Sequence, residues 1–285
     1  MKETFGQKTR RSHKRNQRVV MFWCAFVFAF VIAGVWLFRG TLFQNDSGAS
    51  ASGTNQSRHD ACGTADSRQK STDVTQAPMD HEVCQKLQDL VSQDQRVQQV
   101  IDNCEIYPED ILKMLSRNLD MLNFVLEYPE KVGQVFAETV GEVEGGEVPL
   151  LLQYDQRWGY GDYGNSSVAV SGCGPACLSM VITSLTGDDT ITPYVVAQYA
   201  SEQGYYVPGA GTAWTLMSEG AKHFGVIGEE LPLTKSIMEG VLKEGRPIIC
   251  SMRPGDFTTT GHFIVITGIK DGQFTVNDPN STERS

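Results

Sequence analysis

The stretch "SGCGPACLSM", residues 171–180, sets Cys173 between two glycines and one residue ahead of Pro175, at the start of an apolar run. A thiol attacks a carbonyl as thiolate, and a free cysteine with a pKa of about 8.5 is mostly protonated at neutral pH. The first turn of a helix supplies unpaired N–H groups and the positive end of the dipole, both of which favour an anion. Gly172 and Gly174 allow tight backbone on either side of the thiol, and Pro175 is tolerated in a first turn. Leu178, Val181, Ile182 and Leu185 then bury the helix, and Cys177, one turn below Cys173, is expected to pack inward.

A nucleophilic thiol needs an imidazole, and the imidazole needs an acceptor to orient it. "GHFIVITGIKDGQFTVNDP", residues 261–279, reads as a β-hairpin turning at "KDG". A three-residue turn with Gly272 left-handed sets Asp278 opposite Ile264, on the same face as His262 and diagonal to it. A two-residue Asp-Gly turn puts Asn277 on that face instead, and an asparagine can orient an imidazole as well. The spacing alone leaves both residues open.

The four ordered motifs "LLQYDQRWGYG", "SGCGPACLSMV", "GHFIVITG" and "VNDPN" resemble the papain-like cysteine peptidases of the bacteriocin-processing (double-glycine peptidase) type, and more closely their stand-alone, C39-like branch. The resemblance covers about residues 148–280. It implies Cys173 as nucleophile, His262 as general base and Asp278 rather than Asn277 as orienter. It also implies Gln153 as an oxyanion-hole donor beside the Cys173 backbone N–H. No cofactor and no metal belong to that chemistry. The transporter-linked members carry an ATP-binding cassette; no G-x-x-x-x-G-K-[ST] occurs here, so export of bacteriocins is not expected. The chain ends seven residues after Asp278, earlier than the domains it resembles, as a truncated sequence does.

The elements that must position these residues read as α+β, a papain-like arrangement of helices first and an antiparallel sheet afterwards. Helices are predicted over 174–185, 193–203, 213–224 and 234–244, and strands over 246–252, 262–269 and 273–279. Upstream, Val83, Leu87, Leu90, Val91, Val97, Val100 and Ile101 recur at helical spacing, predicting one amphipathic helix over 81–104. A second helix opens at Pro108 with Glu109 and Asp110 in its first turn and stops at Pro129. This hairpin, spanning 80–144, cannot bury its apolar stripe alone and is expected to pack on the peptidase domain, 145–285. Gly145-Gly146 serves as a hinge between them. "GAGTAW", 209–214, suits a cleft lining or a loop before a helix.

Residues 1–18 hold seven basic residues and one acid, and 19–38 is an uncharged run of 20, long enough to cross a bilayer as a helix. Positive-inside bias predicts a cytoplasmic tail over 1–18, an uncleaved single-pass anchor over 19–38 and a catalytic domain outside the membrane. Residues 39–79 are a Ser-, Thr- and Gly-rich linker. From Arg39 onward, 17 basic and 33 acidic residues leave a net charge of −16, which excludes a nucleic-acid partner held through phosphates. His59-x-x-Cys62 and His81-x-x-Cys84 carry metal-ligand types but fit no zinc module. Cys84 and Cys104 are too far apart to bridge along one unbroken helix, and could pair only if that helix breaks. The sequence therefore predicts a membrane-anchored cysteine peptidase acting on peptides or proteins. A papain-like cell-wall amidase or endopeptidase, and a catalytically dead peptide-binding surface module, are the alternatives.

Overall fold

The computed structural model describes residues 18–22 and 80–285. It opens with strand β1 (Arg18–Phe22), followed by four short helices, α1 (His81–Val91), α2 (Val97–Asp102), α3 (Glu109–Leu115) and α4 (Leu122–Lys131). Two small ladders, β2 (Asp162–Tyr163) with β3 (Ser166–Ser167) and later β4 (Tyr206–Val207) with β5 (Gly211–Thr212), flank the helices α5 (Val168–Ser171), α6 (Cys173–Thr186) and α7 (Pro193–Glu202). Helix α8 (Thr215–Ser218), strand β6 (Ile227–Leu231), helix α9 (Lys235–Lys243) and strands β7 (Ile248–Met252), β8 (His262–Lys270) and β9 (Gln273–Asn277) complete the fold. The main sheet runs β6-β1-β7-β8-β9; β1 is parallel to both its neighbours, whereas β7, β8 and β9 are antiparallel.

The mixed α+β class follows the sequence pattern, and the C-terminal elements fall close to their predicted bounds. Three departures have local causes. The helix predicted over 81–104 breaks after Val91, because the Asp94 carboxylate accepts the Arg96 backbone N–H at 2.9 Å and also grips its guanidinium. An Asx turn of this kind offers the backbone an alternative to the helix. The second helix breaks in the same way at Asn118, whose Oδ1 accepts the Asp120 N–H at 3.1 Å. Pro129 does not stop α4 but lies inside its last turn, and the helix runs on to Lys131. Although the first break brings Cys84 and Cys104 onto separate elements, both are free thiols.

The third departure concerns the apolar run 19–38. Its first four residues continue Arg18 into a strand between β6 and β7 rather than a helix. Valine, methionine and phenylalanine satisfy the demands of a central strand as well as those of a span. The remainder, 23–38, lies outside the described residues, as do the basic tail up to residue 17 and the linker 39–79. Among the described residues no helix is long and apolar enough to cross a membrane.

The core has three parts. Helix α6 is buried on almost every face and packs with α7 and with Phe263 and Val265 of β8. Helix α9 covers the opposite side of the sheet through Met238, Val241 and Leu242 against Ile248, Ile264 and Ile266. The four N-terminal helices form the third cluster, which includes Tyr154, Tyr160 and Ala169 from the segment that leads to α6. Phe124 stacks on Tyr160 at 4.3 Å and 11° between ring planes, and the Tyr160 hydroxyl donates to the Phe124 carbonyl. The helical region thus completes its core only against the domain that follows.

Candidate active site

Cys173 is the first residue of α6, half-buried, with Gly172 as N-cap. Both flanking glycines answer to close contacts. A Cβ on Gly172 would stand 2.3 Å from the Val168 carbonyl oxygen, and one on Gly174 2.7 Å from Thr212. Thr212 belongs to the "GAGTAW" stretch, which braces the start of α6 from behind; Tyr163 holds it there through a hydroxyl pair at 2.8 Å.

His262 is the first residue of β8 and 8% exposed; Asp278 follows β9 and is fully buried. His262 Nε2 lies 2.7 Å from Asp278 Oδ1, and the imidazole shares one cleft with the Cys173 thiol. Nε2 being taken by the carboxylate, Nδ1 is left for the sulfur. The hairpin resolves the two alternatives that spacing left open. Lys270 pairs with Gln273 across a two-residue Asp271-Gly272 turn, both residues having positive φ, at 52° and 77°. That turn by itself favours Asn277, but a bulge at Thr267 shifts the register by one, so Val265 pairs with Asn277 and Asp278 follows beside Ile264. Asn277 instead donates to the Val148 carbonyl at 3.0 Å.

Gln153, 3% exposed, reaches the same cleft. Its backbone N–H donates to the Pro279 carbonyl at 2.8 Å, and its Nε2 donates to the Ala169 carbonyl at 2.5 Å. Because a carbonyl oxygen can only accept, this contact fixes which end of the amide carries nitrogen. Trp158 secures the approach to Gln153 by donating from its indole to the Leu152 carbonyl at 2.8 Å.

The electrostatics favour a thiolate at Cys173 and an imidazolium at His262. Burial pushes the Cys173 thiol up, but a hydrogen bond from His262, the imidazolium charge and the N–H groups of Phe263 and Gly174 together hold it below the ordinary cysteine value. Burial would depress His262; hydrogen bonds to Asp278 and Cys173 and the charges of both raise it to about 9. Burial likewise opposes ionisation of Asp278, and His262, the Asn280 N–H and Arg284 pull it below the usual carboxylate range. Cys177, one turn along α6, has no such partner, and burial drives its thiol well up. Two cysteines of one helix are thus shifted in opposite directions by their surroundings.

The cleft, about 290 Å³, is lined by Gln153, Cys173 and His262 together with the loop 255–261. Three further lining residues carry no sequence signal of their own: Arg117, Asn118 and Arg284. Arg117 donates to Thr259 at 3.1 Å and Asn118 to the Asn280 carbonyl at 2.8 Å, so the segment after α3 holds both the loop before β8 and the tail after β9. Only their distance in the chain, 142 and 162 residues, hid them.

Fold and site define an α+β domain in which a thiol and an imidazole share one cleft and a buried carboxylate meets the imidazole. Residues 146–285 match the model of the Peptidase_C39 like family, which supports a C39-like cysteine peptidase family for this part of the chain. Comparison with curated proteins gives no match, nor does comparison with solved structures.

Proposed function

We infer that the protein is a papain-like cysteine peptidase that hydrolyses peptide bonds through Cys173, His262 and Asp278, with Gln153 as oxyanion donor. The observation that carries this reading is that Cys173 and His262 line one cleft while His262 Nε2 lies 2.7 Å from the carboxylate of the buried Asp278. The thiolate attacks the carbonyl carbon of the scissile bond, and the oxygen takes up negative charge facing the Gln153 amide and the Cys173 backbone N–H. His262 gives its proton to the leaving amine as the C–N bond breaks, which leaves a thioester. A water molecule, deprotonated by His262, then attacks the thioester and releases the acid and the thiol.

The place of action is proposed from the N-terminal sequence: the basic cluster ahead of the uncharged run 19–38 puts the catalytic domain outside the membrane. Val19 to Phe22 cannot be strand and span together, so in the anchored protein they leave the sheet. Resistance of the full chain to alkaline extraction from membranes tests this, and extraction with the soluble fraction defeats it.

Activity is tested by incubating the protein with unstructured peptides and, separately, with purified peptidoglycan. Cleavage of peptides that is lost in Cys173→Ser supports the peptidase. Release of muropeptides alone assigns the cell-wall amidase, and binding without turnover assigns a peptide-binding module.

A further inference from the structure

Resting on that reading, we propose that Arg284 is a positioning residue of the site, which fixes the Asp278 carboxylate so that it orients and charges His262. Asp278 is fully buried and divides its two oxygens between two duties. Oδ1 accepts from His262 at 2.7 Å and from the Asn280 backbone N–H at 2.8 Å, and Oδ2 accepts from Arg284 Nε at 2.6 Å. A buried carboxylate carrying its charge with one oxygen unpartnered is costly, and rotation about the last side-chain bond would carry Oδ1 away from the imidazole. The guanidinium removes both problems at once.

The tail is wound to deliver this contact. The Asp278 N–H donates to Ser285 Oγ at 2.8 Å, and the Ser281 N–H returns to the Asp278 carbonyl at 3.1 Å. Ser285 Oγ also donates to the Ser281 carbonyl at 2.8 Å. Arg284 is itself about a third exposed, lines the cleft and lies 6.0 Å from the Phe257 ring of the loop 255–261. It therefore joins the cleft surface to the innermost member of the catalytic chain.

The other ionisable groups near this pair are accounted for. Cys173 and Cys177 face it from α6, and Tyr154 from the segment after Gln153. Asp120 bonds Thr282 of the tail, while Arg117 and Asp256 lie further along the cleft wall. Beside His262, Arg284 is the cation that pairs with Asp278 among the described residues.

Loss of Arg284 weakens the thiolate through the carboxylate: a loosened Asp278 holds the imidazolium less firmly, and the imidazolium is what favours the thiolate. The test is the pH dependence of Cys173 alkylation by iodoacetamide, with peptide turnover measured alongside, in the full chain and in Arg284→Ala, Arg284→Gln and Arg284→Lys. The acid limb is expected at higher pH in Arg284→Ala and Arg284→Gln, with kcat lower by roughly ten- to a hundred-fold and KM little changed, the scale at which outer partners of a reactive group act. Arg284→Lys, which keeps the charge, restores most of the shift. Thermal melts identify any variant that fails to fold, and the remaining variants carry the test. Acid limbs that coincide with wild type, or a lysine variant displaced as far as alanine, overturn the proposal. A wild-type Cys173 that titrates as an ordinary thiol overturns the peptidase reading instead, so the two failures are distinct.

Discussion

Asp278 reaches His262 because a bulge at Thr267 offsets a two-residue turn, so the hairpin takes the register that a three-residue turn would have given. The Thr267 and Thr275 hydroxyls, 2.9 Å apart, span the bulge. Asp278 and Asn277 are neighbours in sequence with opposite assignments: one accepts from the imidazole, the other braces Val148.

Exchange at these two positions should therefore have unlike consequences. Asp278→Asn leaves a neutral amide facing His262 and removes the charge that favours the imidazolium. A loss of turnover of roughly 10⁴-fold is the expected scale for that change in a triad. Asn277→Ala removes one hydrogen bond, worth about 1 kcal/mol of stability, and leaves turnover within a few-fold of wild type. Steady-state kinetics with urea denaturation of both variants checks the contrast, and equal loss of turnover would return the choice to Asn277.

The pH profile follows from the direction of two shifts. Acylation needs the thiolate and the imidazolium together. The thiolate forms below the ordinary cysteine value, and His262 keeps its proton up to about 9. On acidification the pair is lost as the thiolate takes up a proton; on alkalinisation it is lost as the imidazolium gives its proton up. A bell-shaped kcat/KM is expected, with its alkaline limb near pH 9. In His262→Ala the alkylation of Cys173 should move toward the free-thiol value of about 8.5. Cys177, buried and driven up, should remain unreactive across the range.

Much of the site was legible in the sequence because its members announce themselves locally. "GCGPAC" places a thiol on a helix start, and "GHF" with "VNDP" places an imidazole and an acceptor on one hairpin. The sequence could not decide between Asp278 and Asn277, since register depends on a bulge that Thr267, an ordinary strand residue, does not advertise. Arg284 was illegible for a different reason: in "NSTERS" it is one polar residue among several, and only the winding of the tail brings it to Asp278. The broken N-terminal helices were misjudged because apolar spacing continued in step across Asp94 and Asn118, where local side-chain hydrogen bonds override it. An apolar run such as 19–22 suits a strand and a span equally, so composition cannot separate them.

Gln153 offers a test of transition-state binding as distinct from thiolate formation. Its amide nitrogen is held by the Ala169 carbonyl and has no hydrogen bond to His262 or Asp278 among the described residues. Gln153→Ala should lower kcat by about 10²- to 10³-fold, the loss seen when one oxyanion donor is removed. The acid limb of Cys173 alkylation should stay where it is in wild type, because the alkylating agent develops no oxyanion. A displaced limb would show that Gln153 acts on the thiolate instead.

Phe124 measures how far the helical region supports the catalytic domain. It is 2% exposed and stacked on Tyr160, in the segment between Gln153 and α6. Phe124→Ala should cost about 3–5 kcal/mol through lost burial and the cavity left behind. Because one cluster spans both regions, denaturation is expected to remain a single transition at a lower midpoint. Two separate transitions, with the peptidase domain unfolding as in wild type, would show that the regions are independent.

Asn118 distinguishes support of the fold from support of the cleft. Its Oδ1 accepts the Asp120 N–H at 3.1 Å, and its Nδ2 donates to the Asn280 carbonyl at 2.8 Å in the tail that carries Arg284. Asn118→Ser keeps a short side-chain acceptor for the local turn but is too short to span to Asn280. The expected cost to stability is about 1 kcal/mol, the net worth of one hydrogen bond. The larger effect is expected on turnover, several-fold lower, because the tail that fixes Asp278 loses a hydrogen bond to the helical region and keeps the one from Thr282 to Asp120. If turnover falls only in proportion to the unfolded fraction, the contact supports the fold alone. If turnover falls while the protein stays folded at the assay temperature, residues far upstream in the chain set the geometry of the reacting groups.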